Sequence, residues 1–127
     1  MLAMNLVFLL HKAISMDIAY KLSSEEFRCQ CNRLTCNSLI FSPRLKDSWN
    51  IVRAQFGKKL KVNSGHRCQA HNHEVGGVED SAHTRGEAID ISFDEFNPME
   101  RNHLKMLLEA NFDVVIMYPT FYHCHNN

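Results

Sequence analysis

The stretch Ala88-Ile89-Asp90-Ile91-Ser92-Phe93 constrains this chain more than any other. As a strand over 88–93 it turns Ala88, Asp90 and Ser92 to one face and Ile89 and Ile91 to the other. Two isoleucines mark the second face as core. An ionised carboxylate in the middle of such a strand is costly to bury unless a cation or hydrogen bonds compensate it. A metal ion is one such partner. The plain alternative is an aspartate on the solvent face of a half-exposed strand.

The neighbouring segments supply short strands and uneven helices. Ser42 can cap a helix over Pro43–Phe56, with Pro43 at its first position and Gly57 closing it. Leu45, Trp49, Val52 and Phe56 give that helix one apolar stripe at spacings of 4, 3 and 4. Ser24, Glu25 and Glu26 start a shorter helix. Lys59–Asn63 alternates as a strand, Arg67–Glu74 reads as a short helix, and Gly76-Gly77 is a break. Asn97-Pro98-Met99-Glu100 has capping-box spacing and opens a helix that turns Leu104, Leu107 and Leu108 inward and ends at Asn111. Strands over Val114–Tyr118 and Phe121–His125 follow, joined by Pro119-Thr120. This order predicts an α+β fold with a small, mainly antiparallel sheet and flanking helices.

At 127 residues the chain is expected to form one domain over 22–127, after an apolar N-terminal segment over 1–21. Residues 1–16 resemble the h-region of a secretory signal but lack a basic n-region and a clear cleavage site. A buried helix or an over-long start fits them equally well. Fourteen Lys and Arg balance fourteen Asp and Glu, so no global basic field recommends nucleic acid as the main partner. No apolar run reaches the length of a membrane span.

Eight histidines and five cysteines are unusual in so short a neutral chain and point toward metal. His83 precedes Asp90 by seven residues, with Gly86 between them. His123 and His125 alternate with Cys124 on the last strand and share a side, leaving Cys124 to the core. If that strand lies beside the one bearing Asp90, two imidazole nitrogens and one carboxylate oxygen around an open fourth position suit a catalytic zinc. The competing reading of His123 and His125 is a frayed, solvated end.

The wider pattern consists of Ser64-Gly65-His66-Arg67, His71-Asn72, Val75-Gly76-Gly77 and Ser81-Ala82-His83, then Gly86-Glu87-Ala88-Ile89-Asp90, and last Tyr118-Pro119-Thr120-Phe121-Tyr122-His123. In this order and at these separations it resembles the zinc D-alanyl-D-alanine carboxypeptidase family of metallopeptidases. The likeness is greatest to the small bacterial and phage endolysin-like members, and it spans about residues 22–125. The resemblance implies the fold shared by these peptidases and the hedgehog domain. It implies a Zn2+ held by His83, Asp90 and His123, and a peptidoglycan stem peptide as substrate. Arg67 would hold the substrate carbonyl or carboxylate, which suits the planar fork of a guanidinium. Ser81 would hydrogen-bond the substrate backbone or cap a turn. Gly76-Gly77 would form the loop leading into the site, and Asn72 would be a structural hydrogen-bonder. A cleft site in so short a domain needs no partner subunit, so a monomer is expected.

The chain departs from the family in its tail. Many members carry an acidic general base three residues before the last zinc histidine, and here that position is Thr120. His125 stands where small members commonly place an aspartate, which makes it the candidate catalytic base. His125 on zinc with His123 outside is the alternative arrangement. Glu87 has the wrong strand parity for a role beside Asp90. These departures also feed a second reading, a zinc-containing cell-wall-binding module that does not cleave. Cys29, Cys31, Cys36 and Cys68 are four thiols able to gather, and Phe27-Arg28-Cys29 fits a Phe-x-Cys start found in some family members. A four-cysteine zinc site, one or two disulfides, and free thiols all remain open, because the single residue between Cys29 and Cys31 is irregular for zinc pairs.

Overall fold

The computed structural model describes residues 22–33, 36 and 38–127. The expectation for residues 1–16, and the boundary placed after residue 21, lie outside the described residues. Helix α1, Ser24–Phe27, opens with a capping box in which the Ser23 side chain accepts from the Glu26 N–H and Glu26 reaches back to the Ser23 N–H. Helix α2, Pro43–Phe56, begins and ends as its capping signals predict, with Gly57 in the left-handed conformation at φ 72°. Strand β1, Val62–Ser64, leads to helix α3, Gln69–Glu74, and a 3-10 turn over Ala82–Arg85. Strand β2, Ala88–Ser92, helix α4, Pro98–Asn111, and strands β3, Val114–Met117, and β4, Phe121–His125, complete the order.

The four strands form one sheet in the order β1-β2-β4-β3, and every neighbouring pair is antiparallel. The α+β class and the small antiparallel sheet are therefore as expected. Strand β1 is shorter than its alternation suggested. Its register against β2 shifts between Val62 and Ser64, so the ladder is irregular where the pattern looked regular. Helix α3 begins at Gln69 rather than Arg67, because Cys68 caps it in an extended conformation.

Register decides what each face of the sheet carries. Asp90 lies opposite Ser64 on one side and His123 on the other, and His123 lies opposite Ile116. Ile89 pairs with Cys124 and Ile91 with Tyr122. These four are buried with Leu45, Trp49, Val52 and Phe56 of α2 and Leu104 and Leu108 of α4 in one apolar core. The helices cover one face, as sheet-and-helix layers require. The opposite face is left to Ser64, Asp90 and His123. Cys124 belongs to the core, as its strand parity predicted.

Candidate metal centre

Two segments are clasped together beneath the polar face of the sheet. The Arg67 N–H donates to the His83 carbonyl at 3.1 Å, and His83 Nδ1 sits 2.7 Å from the Gly65 carbonyl. A carbonyl can only accept, so Nδ1 carries the proton and Nε2 is left with its lone pair. That lone pair faces inward. His83 Nε2 lies 3.1 Å from Asp90 Oδ1 and 3.2 Å from His123 Nδ1, and His123 Nδ1 lies 2.9 Å from the same Asp90 oxygen. Three ligand-type atoms from three parts of the chain thus meet at a common point.

The turn that delivers His83 is built for the purpose. The Ser81 hydroxyl accepts the His83 N–H at 3.2 Å and caps the 3-10 turn. Gly86 closes the turn at φ 69°, where a Cβ would sit on the Ile40 carbonyl. A four-residue 3-10 turn has no periodicity to read, so the sequence pattern did not announce it.

Asp90 is buried, 5% exposed, and its two oxygens have separate partners. Oδ1 faces the two imidazoles, while Oδ2 accepts from Arg67 Nη2 at 3.2 Å. Burial pushes its carboxyl up, but the imidazoles of His123 and His83 beside it overcome this and hold it at about 2. The carboxylate is therefore ionised across the neutral range. Arg67 is fixed at two further points, Nε to Ser64 Oγ at 2.9 Å and Nη1 to Asn72 Oδ1 at 3.3 Å. Asn72 Nδ2 donates to the Val78 carbonyl at 2.8 Å, which ties the loop after α3 to the same arginine. These bonds are those of the structural hydrogen-bonder that Asn72 was expected to be.

His125 is not part of the trio. Its Nδ1 lies 2.8 Å from His123 Nε2, on the outer side of that ring. Burial, then the neighbouring His123, Arg85 and His83, push its pKa below the ordinary imidazole value, so it is neutral at pH 7. Arg67, Ser81, His83, Asp90, His123 and His125 all line one cleft of about 540 Å³. Ile116, Tyr118 and Phe121 form an apolar wall on its other side, with the rings of Tyr118 and Phe121 stacked at 4.8 Å. Thr120 is exposed and not among the cleft residues. Glu87 is engaged by Arg85 at 3.1 Å.

The donor set tests whether a metal fits. Two imidazole nitrogens and one carboxylate oxygen, all within 4.8 Å of one another, are the ligands a catalytic zinc takes, with room for a fourth. The second ring nitrogen of each histidine already has a hydrogen-bond partner, as ligating histidines do.

A cleft that presents such a donor set is one a metal-dependent hydrolase can use. The chain is a member of the Peptidase M15 family, whose model matches residues 20–125. No curated protein matches it. The family is one of peptidases, typically metal-dependent.

Proposed function

We propose that the chain is a zinc peptidase that hydrolyses an amide bond in peptidoglycan stem peptides, as a D,D-carboxypeptidase or an endolysin-type enzyme. The observation that carries this reading is the convergence of His83 Nε2, Asp90 Oδ1 and His123 Nδ1 beside the Arg67 guanidinium in an open cleft. His83, Asp90 and His123 would hold the zinc. When bound, it supplies Lewis acidity toward a carbonyl and toward water.

The chain's own residues supply the rest. Arg67 uses three of its five N–H donors on Ser64, Asn72 and Asp90. The remaining N–H on each terminal nitrogen is free to bind a substrate carboxylate or a developing oxyanion. Because the guanidinium is already held, little reorganisation is needed when charge develops. Ser81 binds the peptide backbone from the cleft wall. Tyr118 and Phe121 exclude water from the opposite side.

The part played by His125 follows from a proton. With Nδ1 of His123 as ligand, its Nε2 carries hydrogen and donates to His125 Nδ1. His125 then holds His123 in place, and its own proton sits on Nε2. To act as the catalytic base, His125 must first break this contact and free a nitrogen.

Incubation of the zinc-loaded protein with purified peptidoglycan, followed by mass analysis, tests the proposal. New amine termini are expected, and the fragments identify the bond. A non-cleaving wall-binding module is the second reading, favoured by Thr120 in place of an acid. It predicts co-sedimentation with peptidoglycan and no new termini.

A further inference from the structure

Outside the cleft, four cysteines come together in a way the peptidase reading does not use. The sulfurs of Cys29, Cys31, Cys36 and Cys68 all lie within 4.8 Å of one another. We propose that they bind a second zinc ion as four thiolates, a closed structural site that fastens the loop over 28–41 to the segment carrying Arg67.

Geometry separates this from the alternatives. A disulfide joins sulfurs in pairs at about 2.05 Å and leaves no reason for two pairs to converge. A tetrahedral tetrathiolate has Zn–S bonds of about 2.3 Å, which puts its sulfurs about 3.8 Å apart, within the observed limit. All four are present as free cysteines.

Backbone N–H groups point at two of the sulfurs. Cys29 Sγ accepts the Cys68 N–H at 3.3 Å, and Cys68 Sγ accepts the His71 N–H at 3.4 Å. Two of the four sulfurs therefore receive a backbone N–H, and such donors steady the negative charge on a metal-bound thiolate. Arg33 lies in the same loop, between Cys31 and Cys36. Arg33 also pairs with Glu74 at the end of α3, so the cluster is braced on the helix that Cys68 caps.

The place in the fold explains what such a site is for. Among the described residues, 28–41 contains no helix or strand, and its backbone has few partners of its own. Phe27, the residue just before it, meets the site segment at two adjacent points. The His66 N–H donates to the Phe27 carbonyl at 2.7 Å, and Gly65 lies so close to Phe27 that a Cβ would overlap it. A metal bridging Cys29, Cys31 and Cys36 to Cys68 closes that seam one residue from Arg67. With four protein ligands it leaves no open position, which distinguishes it from the catalytic trio.

Elemental analysis of the full-length protein purified under reducing conditions is expected to find about two zinc ions per chain. Cys31→Ser and Cys36→Ser should each lower this to about one, as His83→Ala should by emptying the other site. If the cysteine variants do not fold, the wild-type protein still decides. Its cobalt-substituted form should show strong thiolate-to-metal charge-transfer absorption, and its cluster thiols should react with a thiol reagent only after a chelator is added. The proposal is overturned by a single metal per chain with freely reactive thiols, by iron in place of zinc, or by a disulfide between any two of the four in non-reducing peptide mapping. Peptide hydrolysis is not a readout, so failure of the peptidase reading leaves this outcome independent.

Discussion

Asp90 shares its two oxygens between different tasks, one toward the imidazoles and one toward Arg67. Asp90→Ala is therefore expected to remove the catalytic zinc and leave Arg67 without its nearest anion, measured as metal content and peptide release together. Arg67→Lys should keep the metal yet lower kcat/KM by about 10²–10³, because a point charge cannot replace a held planar fork. His125→Ala is expected to weaken zinc affinity by about 10–100-fold, the usual effect of removing a ligand's hydrogen-bond partner. Unchanged affinity with loss of one limb of the pH–rate profile would instead make His125 the base. At this scale much was legible. Asp90 between isoleucines and the alternating His123 and His125 are visible as sequence. The choice of His123 over His125 rested on the resemblance, because both share a strand face; the contacts of His123 with His83 and Asp90 favour it.

Among the elements, the helices were the most readable and the connections the least. The stripe of α2 gave its length and buried side, whereas the 3-10 turn over Ala82–Arg85 depends on Ser81 and Gly86 acting together at its ends. Gly86→Ala should lower Tm and displace His83, seen as weaker zinc retention, since its φ of 69° is strained for alanine and Ile40 blocks the added methyl. Helices α1 and α2 are joined by a charge pair. Arg53, 4% exposed at its side chain, lies over the Trp49 ring and donates to Glu26 at 2.6 Å. Burial raises the Glu26 carboxyl, but the bonds to Arg53 and Ser23 outweigh it and bring it below its ordinary 4.5. A depressed carboxylate stabilises the fold above its ordinary value. That stability is lost as pH falls through the lowered one. Unfolding followed from pH 7 down should therefore steepen below about 4.5 in the wild type and less so in Glu26→Gln. Equal slopes would remove the pair from the acid limb.

Over the whole molecule the sheet separates two functions. Its helix-covered face supplies the core, and its open face supplies Ser64, Asp90 and His123. Strand parity was sufficient to foresee the places of Asp90 and His123 in this division, but not that of Ser64, which lies beyond the strand expected over Lys59–Asn63. Spacing along the chain was a poor guide to the cysteines. Cys29 and Cys31 look irregular as a pair, yet the fourth sulfur comes from Cys68, far off in sequence and beside them in space. Among the described residues no helix is long and apolar enough to cross a membrane. The most direct test compares wild type and Asp90→Ala, each supplied with zinc, for release of new amine termini from purified peptidoglycan. Release by the wild type alone, with about one zinc fewer in the variant, is the expected result. Equal release by both would contradict the claim that this carboxylate and its two histidines form the active centre.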